Sequence, residues 1–490
     1  MLKKLEKIEL GIVKVCFFVF LIFFAVGNVF FTVRQFHAVD STANYLRVDM
    51  IHVLTVAILV GLYLLAERAK ISSKKLFTVF LIFAAAVSVY WIFSNPQKIK
   101  ELDDAYNVMR SARAVANGDY GPIGYHTYMN DYPNNFGLFT IFFVLVKIFG
   151  DNSELAFRII NLGFMLEGYI ALYLLTEELF HEERVQKALV FLFFFSMQYV
   201  FYTFFVYGNV ISYALGMSAA YAFLRYRHQD KLPYLCAAIV LVILSIFVKN
   251  NSAIILAAMI IYLFLEVVHQ KKWASLLAIL VLLGGFRVST EGIIDFWEAR
   301  SGTTYDNRLP KICWIVYGFN YDERHPGGYT NELEVYHYEN DFVAEFTATH
   351  AREMLDMEFT AFKERPHVFF RFLGQKFLVS WANPEFEAFG QYAELDLPPF
   401  NDDLVNGKGN DVIDTVWDGA SSLVALAALY LFLWKRKELS LNELFPAVII
   451  LGGFFFHAFW ETKAIYLYQY YLFLLPYAAK GLSSLRKERA

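Results

Sequence analysis

Long stretches of this chain carry almost no charge, and that segregation limits the folds open to it more than any other feature. A helix needs about 20 mostly apolar residues to cross a bilayer's hydrocarbon core. Runs that meet or approach this length centre on residues 11–32, 50–66, 76–93, 157–180, 187–205, 209–225, 234–248, 252–268, 273–289, 416–434, 443–460 and 464–480. Hydrophobic residues make up 57% of the 490 positions and charged residues only 18%, too apolar for one soluble core to hide. The expected fold is an all-α polytopic membrane protein with about twelve transmembrane helices, juxtamembrane helices and one large water-exposed insertion of helical and irregular structure.

The first run, Ile8 to Phe31, follows Lys3 and Lys4 as in a signal peptide. It exceeds the 7–15 residues of such a core, and no small-residue cleavage site follows, so it reads as a retained anchor. Phe136 to Phe149 is different. It follows Tyr132-Pro133-Asn134-Asn135 and ends at Gly150-Asp151-Asn152, which suits an interfacial or re-entrant helix better than a span.

Short cytoplasmic loops collect Lys and Arg. The basic connectors contain Lys3, Arg68, Lys70, Arg184, Lys187, Arg225, Arg227, Lys271, Lys272, Lys435, Arg436, Arg486 and Lys487. All of them fall on one side if residues 136–149 do not cross, with both termini cytoplasmic. The chain then divides into an N-terminal hairpin (1–75), a transmembrane core (76–289), an extracytoplasmic segment (290–415) and C-terminal helices with a cytoplasmic tail (416–490). The core contains a first outer loop (95–135) and the juxtamembrane helix (136–149). The outer segment is far longer than an ordinary loop and is expected to fold as a subdomain, with helices near 342–362 and after Pro366.

A formal net charge of −4 gives no reason to expect nucleic-acid binding. Cys16 and Cys236 lie in apolar runs and Cys313 in the outer segment, so neither a disulfide framework nor a zinc site is expected. No cofactor is indicated, and no metal ligand is assigned to His126 or His457; the need for a divalent ion stays open.

Polar residues gather at the outer ends of the spans. Asp103-Asp104 opens a stretch in which Asp104, Val108 and Ala112 share one helical face. A carboxylate above a membrane cavity can take the proton of an attacking hydroxyl; the same pair also suits a helix cap. Lys249-Asn250-Asn251 sits between two apolar runs on the outer side, against the positive-inside trend. A lysine there fits a point-charge contact to phosphate, or a side chain snorkelling from a tight turn. Tyr207-Gly208-Asn209 is another tight outer turn. Glu461 and Lys463, with Tyr466, stand where the last two spans meet and also suit an aromatic belt with a local ion pair. Pro384-Glu385-Phe386-Glu387 reads as surface.

Taken in order, these residues resemble the GT-C superfamily of membrane glycosyltransferases, nearest to the protein O-mannosyltransferase and aminoarabinose-transferase type of Gram-positive bacteria. The likeness starts near residue 76. It rests on Asp103-Asp104, Tyr132-Pro133-Asn134-Asn135, Phe157-Arg158-Ile159-Ile160-Asn161, Tyr207-Gly208-Asn209, Lys249-Asn250-Asn251, Trp314-Ile315-Val316-Tyr317-Gly318, Lys376 to Glu385, and Trp460-Glu461-Thr462-Lys463. It implies a polyprenyl-phosphate sugar as donor and an extracytoplasmic glycan, lipid or protein as acceptor, with inversion at the anomeric carbon. Asp104 or Asp103 would be the base and Lys249 the phosphate holder. Asn250, Tyr132, Asn135, Tyr207, Asn209, Glu461, Lys463 and Tyr466 would complete the substrate site. Many relatives carry Arg directly before the tyrosine where this chain has Ile465, so Lys463 takes that role or the role is lost. Two alternatives remain at this point: a secondary transporter or lipid/polysaccharide flippase, and a non-catalytic membrane subunit.

Overall fold

The structure, a computed structural model, describes residues 2–36, 42–95, 104–322, 325–390, 392 and 395–485. It is 81% helical with almost no sheet, in line with the expected all-α membrane fold. The chain opens with α1 (Leu2–Phe30), a small antiparallel pair of β1 (Phe31–Phe36) and β2 (Thr42–Arg47), then α2 (Met50–Arg68) and α3 (Ser73–Ser94). Three shorter helices follow: α4 (Asp104–Ala116), α5 (Tyr128–Asp131) and α6 (Phe136–Phe149). The central bundle continues through α7 (Ser153–Phe180), α8 (Glu183–Phe195), α9 (Gln198–Phe201), α10 (Asn209–Gln229), α11 (Leu232–Val248), α12 (Ala253–Gln270) and α13 (Ala274–Arg287). The large insertion holds α14 (Ile293–Ser301), α15 (Ile312–Phe319), α16 (Glu332–Glu339), α17 (Ala344–Glu364), α18 (Pro366–Trp381) and α19 (Pro399–Asn406). The chain returns to the bundle as α20 (Lys408–Lys435), α21 (Phe445–Phe459) and α22 (Ala464–Ser483).

Each of the twelve apolar runs folds mostly as helix, with 187–205 interrupted after Phe195 and 11–32 passing into β1 at Phe31. Among the described residues, length and apolarity qualify eight helices to cross a membrane, or nine if Glu183–Phe195 and Gln198–Phe204, bent by 53°, form one span. On these grounds the count is eight or more, and the expected count of about twelve is not confirmed. Packing explains part of the difference. Every residue of α22 except Tyr466 and Lys480 is buried, so this tyrosine-rich helix is surrounded by protein and does not need a lipid-facing apolar side. Its neighbours include α7, α8, α20 and α21. Gly481 allows the contact with α20, because a Cβ there would stand 1.9 Å from the Ala427 carbonyl oxygen.

One end of the bundle carries the polar insertions. A core of Val108, Met109 and Ala112 from α4, Phe136, Phe139 and Phe142 from α6, and Trp297 from α14 joins the first insertion to the second. Trp297 Nε1 also donates to Thr140 Oγ1 at 2.9 Å. A separate core joins Cys313, Val316 and Phe319 of α15 to Leu355 and Phe362 of α17 and Phe372 of α18. The helix from α13 does not stop at residue 289; a π-helical turn, Val288–Gly292, carries it into α14. The opposite end bears basic connectors held by ion pairs, Arg184 with Glu67 at 3.9 Å and Arg225 with Glu178 at 2.9 Å among them. Its several long apolar helices support a multi-pass membrane protein.

Candidate active site

Three helix junctions meet at the insertion-bearing end, and Lys249 lies among them. It follows α11, whose last turn supports the Tyr207-Gly208-Asn209 turn. A Cβ on Gly208 would stand 2.9 Å from the Val248 carbonyl oxygen, so only a glycine allows this approach. The Lys249 ammonium donates to Asn209 Oδ1 at 2.7 Å and lies 4.1 Å from the Tyr207 ring centre and 5.1 Å from that of Tyr466. Asn209 Nδ2 donates to the Tyr213 hydroxyl at 3.0 Å, and that hydroxyl donates to the Ile465 carbonyl. Burial draws the Lys249 ammonium down to about 7, while the Asp104 carboxylate acts to hold its proton. Arg158 and Asn161 fix the backbone leading into this turn. Arg158 donates to the Phe204 carbonyl at 3.1 Å, and Asn161 to the Phe205 carbonyl at 2.9 Å.

Asp104 is the first residue of α4 and is exposed, whereas Val108 and Ala112, on the same face, are fully buried against the neighbouring core. That face thus anchors the helix and leaves the carboxylate free of the packing. The Tyr128 hydroxyl lies within the field of the Asp104 carboxylate. Asn135 Nδ2 donates to the Tyr128 oxygen at 2.9 Å, and the Tyr207 hydroxyl donates to Asn135 Oδ1 at 3.3 Å. Tyr207 in turn faces Lys249. Side-chain contacts therefore run from Tyr128, in the field of Asp104, through Asn135 and Tyr207 to the Lys249 ammonium. Burial, with the Asp104 charge next, holds the Tyr128 and Tyr207 hydroxyls well above the usual phenol range.

The third wall is the segment between α21 and α22. The Glu461 amide donates to the Trp314 carbonyl and the Thr462 amide to the Gly327 carbonyl, each at 2.9 Å. Beneath them Lys376 donates to three backbone carbonyls, Gly318 at 2.6 Å, Trp460 at 3.0 Å and Ala458 at 3.1 Å. Those acceptors match an ammonium's three hydrogens. Glu461 is buried, and that burial raises its carboxyl, with Lys463 opposing.

Pro384-Glu385-Phe386-Glu387 is not surface. Phe386 is 1% exposed, and Glu387 Oε1 accepts the Ala464 amide, the first of α22, at 2.9 Å. Phe386 and Glu387 both take left-handed backbone angles (φ 49° and 60°), a strained pair held by Asn383 Oδ1, which accepts the Glu385 and Phe386 amides. The Glu387 charge reaches Lys249 and Glu461.

Asp104, Tyr132, Asn135, Tyr207, Asn209, Lys249, Glu461, Lys463 and Tyr466 thus gather at one end of the bundle. Asn250 lies beside them in the turn Asn250–Ser252, where its carbonyl takes the Ala253 amide. Asp103 falls outside the described residues. Sequence reasoning missed Tyr128, named Lys376 only as the start of a stretch in the resemblance, and read Glu387 as surface; Tyr128 had a usable signal, standing four residues before Tyr132 on one helical turn. His457 contacts the Glu461 carbonyl at 3.1 Å, and the His126 ring packs on Phe342. Among the described residues no group of three or more His, Cys, Asp or Glu is placed to hold a metal ion.

Residues 137–289 match the family model described as dolichyl-phosphate-mannose-protein mannosyltransferase. The matched segment includes Asn209 and Lys249 and ends before the third wall. Two crystal structures of an Archaeoglobus fulgidus oligosaccharyltransferase are similar to the chain at 16% identity. One is the apo form, with a TM-score of 0.40, and the other is tethered to an acceptor peptide containing the NVT sequon, with a TM-score of 0.41. Each covers 84% of this chain, which spans about half the length of that enzyme (50% and 49%). No curated protein matches the chain. The family match agrees with the GT-C resemblance.

Proposed function

We propose that the protein moves a sugar from a polyprenyl-phosphate donor to an extracytoplasmic acceptor, inverting the anomeric carbon. The observation that carries this reading is the run of contacts from Tyr128, in the field of Asp104, through Asn135 and Tyr207 to Lys249. A solvent-facing carboxylate and a buried cation in one site support the reading. Because the basic connectors lie at the other end, the positive-inside trend directs this end out of the cytoplasm.

In the reaction, Asp104 takes the proton of an acceptor hydroxyl as its oxygen attacks the anomeric carbon. The bond from that carbon to the phosphate oxygen breaks, and the lipid phosphate leaves with the electron pair. Lys249 stabilises the charge on that leaving phosphate, with Lys463 as a second cation in place of the arginine that relatives carry. Asn135 holds Tyr128 and Tyr207 in register, so base and cation keep their spacing during the attack.

The test uses the full chain in liposomes containing a panel of polyprenyl-phosphate sugars, following release of polyprenyl phosphate. Asp104→Asn and Asp103→Asn are compared with the parent at matched expression. Asp104→Asn is expected to reduce transfer by about 10²–10⁴-fold, the usual range for a lost general base, with donor binding intact. Full transfer by Asp104→Asn would rule it out as the base, and loss confined to Asp103→Asn would move the role there.

A further inference from the structure

The family match covers residues 137–289 and leaves α1, β1, β2 and α2 outside it. These first elements nevertheless grip the segment from which Glu387 enters the site. Gly27 of α1 lies against the last turns of α18, where a Cβ would stand 3.2 Å from the Phe377 ring and 3.4 Å from Leu378. One residue on, Asn28 Nδ2 donates at 3.1 Å to the carbonyl of Trp381, the last residue of α18. The Asn28 carbonyl accepts Ser422 of α20 at 2.6 Å. The 382–387 segment therefore leaves α18 at a point fixed by α1.

The same stretch supplies a charge. Asn410, Asp414 and Asp418 follow one another by a turn along α20, and Asn410 Nδ2 donates to Glu385 Oε1 at 2.9 Å. Glu385, Asp414 and Asp418 are 2%, 2% and 7% exposed. Arg34 of β1 reaches in, 2.9 Å from Asp418 and 3.5 Å from Asp414, and Thr32 Oγ1 donates to Asp418 at 2.5 Å. A buried carboxylate keeps its charge only beside a cation, so removing the guanidinium leaves the pair on α20 uncompensated beside the Glu385 loop. Two residues after Glu385, Glu387 Oε1 accepts the Ala464 amide at 2.9 Å. Tyr466, on that first turn of α22, has its ring centre 5.1 Å from the Lys249 ammonium. Left-handed angles at Phe386 and Glu387 make this the segment that relaxes when its support goes.

We propose that Arg34 is a positioning residue, by which the N-terminal segment braces the 382–387 loop and, through Glu387, holds the start of α22 against Lys249. The proposal rests on the glycosyltransferase reading above. Arg34 acts through Asp414, Asn410 and Glu385 and takes no part in the chemistry itself. What it supplies is charge compensation, so neutralising its two partners makes it dispensable.

Amide hydrogen exchange of the full chain in nanodiscs reads the brace without turnover, and release of polyprenyl phosphate reads its effect on transfer. Arg34→Met is expected to speed exchange at the Ala464, Glu385 and Phe386 amides about tenfold, with the amides of α10 and α12 unchanged. Donor kcat/KM should fall about tenfold with it. Arg34→Lys, which keeps the charge, should stay within about threefold of the parent in both readings. Adding Asp414→Asn and Asp418→Asn to Arg34→Met should restore both to within about threefold, because the pair on α20 then carries no charge. Asn410→Ala, which alters no charge, should speed exchange at the same three amides about threefold, and it carries the test if Arg34→Met does not fold. The proposal is overturned if Arg34→Met leaves Ala464 exchange at the parent rate or speeds exchange equally throughout the bundle. It is also overturned if the two Asn substitutions restore nothing. The expected exchange changes in a chain that transfers no sugar would instead overturn the glycosyltransferase reading and leave the brace standing.

Discussion

Replacing Lys249 with Met keeps the length of the side chain and removes the charge. Among the described residues the parent ammonium has one hydrogen bond, to Asn209 at 2.7 Å, and two aromatic faces, leaving donors to meet a phosphate oxygen. A charged hydrogen bond to a group whose charge grows in the transition state is worth about 3 kcal/mol, or about 150-fold in rate. The expected result is a fall of about that size in kcat/KM for the donor, with acceptor affinity unchanged. The pH profile gives an independent check. With an ammonium that loses its proton near 7, the charged form falls as pH rises, so donor kcat/KM should decline about tenfold per unit above that point. At pH 8.5 it should stand about thirtyfold below its acidic plateau. Lys249→Arg, whose guanidinium stays charged, should remove that decline even if its maximum rate is lower. The assay is initial-rate release of polyprenyl phosphate in proteoliposomes from pH 6 to 9. A flat parent profile, or a Met variant within about threefold of the parent, would refute Lys249 as the phosphate holder.

Further expectations concern the parts that hold the site in place. Asn135→Ala removes both bonds between Tyr128 and Tyr207, and kcat should fall about tenfold with little change in thermal midpoint; an unchanged kcat would mean that the link does not position the base. Lys376→Met leaves three carbonyls without their shared donor, and the melting temperature in detergent should drop, by several kcal/mol of stability if about 1–3 kcal/mol is lost per acceptor. Gly137→Ala would place a Cβ 1.6 Å from the Phe247 carbonyl oxygen, so α6 must move off the end of α11. About 1–3 kcal/mol of overpacking strain should appear as a lower thermal midpoint.

Where local pattern decides structure, the sequence was readable. Apolar runs marked every bundle helix, Pro366 marked the start of α18, and the charge-poor stretch 136–149 folds with the expected bounds. Helix ends were less readable. Thr290-Glu291-Gly292 looks like the start of a loop, but a π-turn keeps that backbone hydrogen-bonded into α14. Phe31–Arg47 hides a hairpin behind the end of an apolar run. The largest misreading, at Pro384–Glu387, concerns residues whose partners are remote. Tyr202 donates to the Phe386 carbonyl at 2.5 Å, Asn410 to Glu385 at 2.9 Å, and Ala464 to Glu387. No periodicity in the segment reveals partners that far away. The role of Lys376 was hidden in the same way, since its three carbonyl acceptors come from other elements. Lys249 was readable because a charge between two long apolar runs is conspicuous before anything is folded.

The first helix also bears on how the protein is made. Asn28 donates to the Trp381 carbonyl, the Asn28 carbonyl accepts Ser422, and Arg34 pairs with Asp414 and Asp418 on α20. These partners follow it by 353 to 394 residues in the chain. During synthesis the N-terminal helix therefore enters the bilayer long before anything it grips has been translated. Until α20 arrives, its polar residues depend on water, headgroups or the insertion machinery for partners. The arrival of α20 is then the step that turns an early, loosely held membrane anchor into an integral part of the finished bundle.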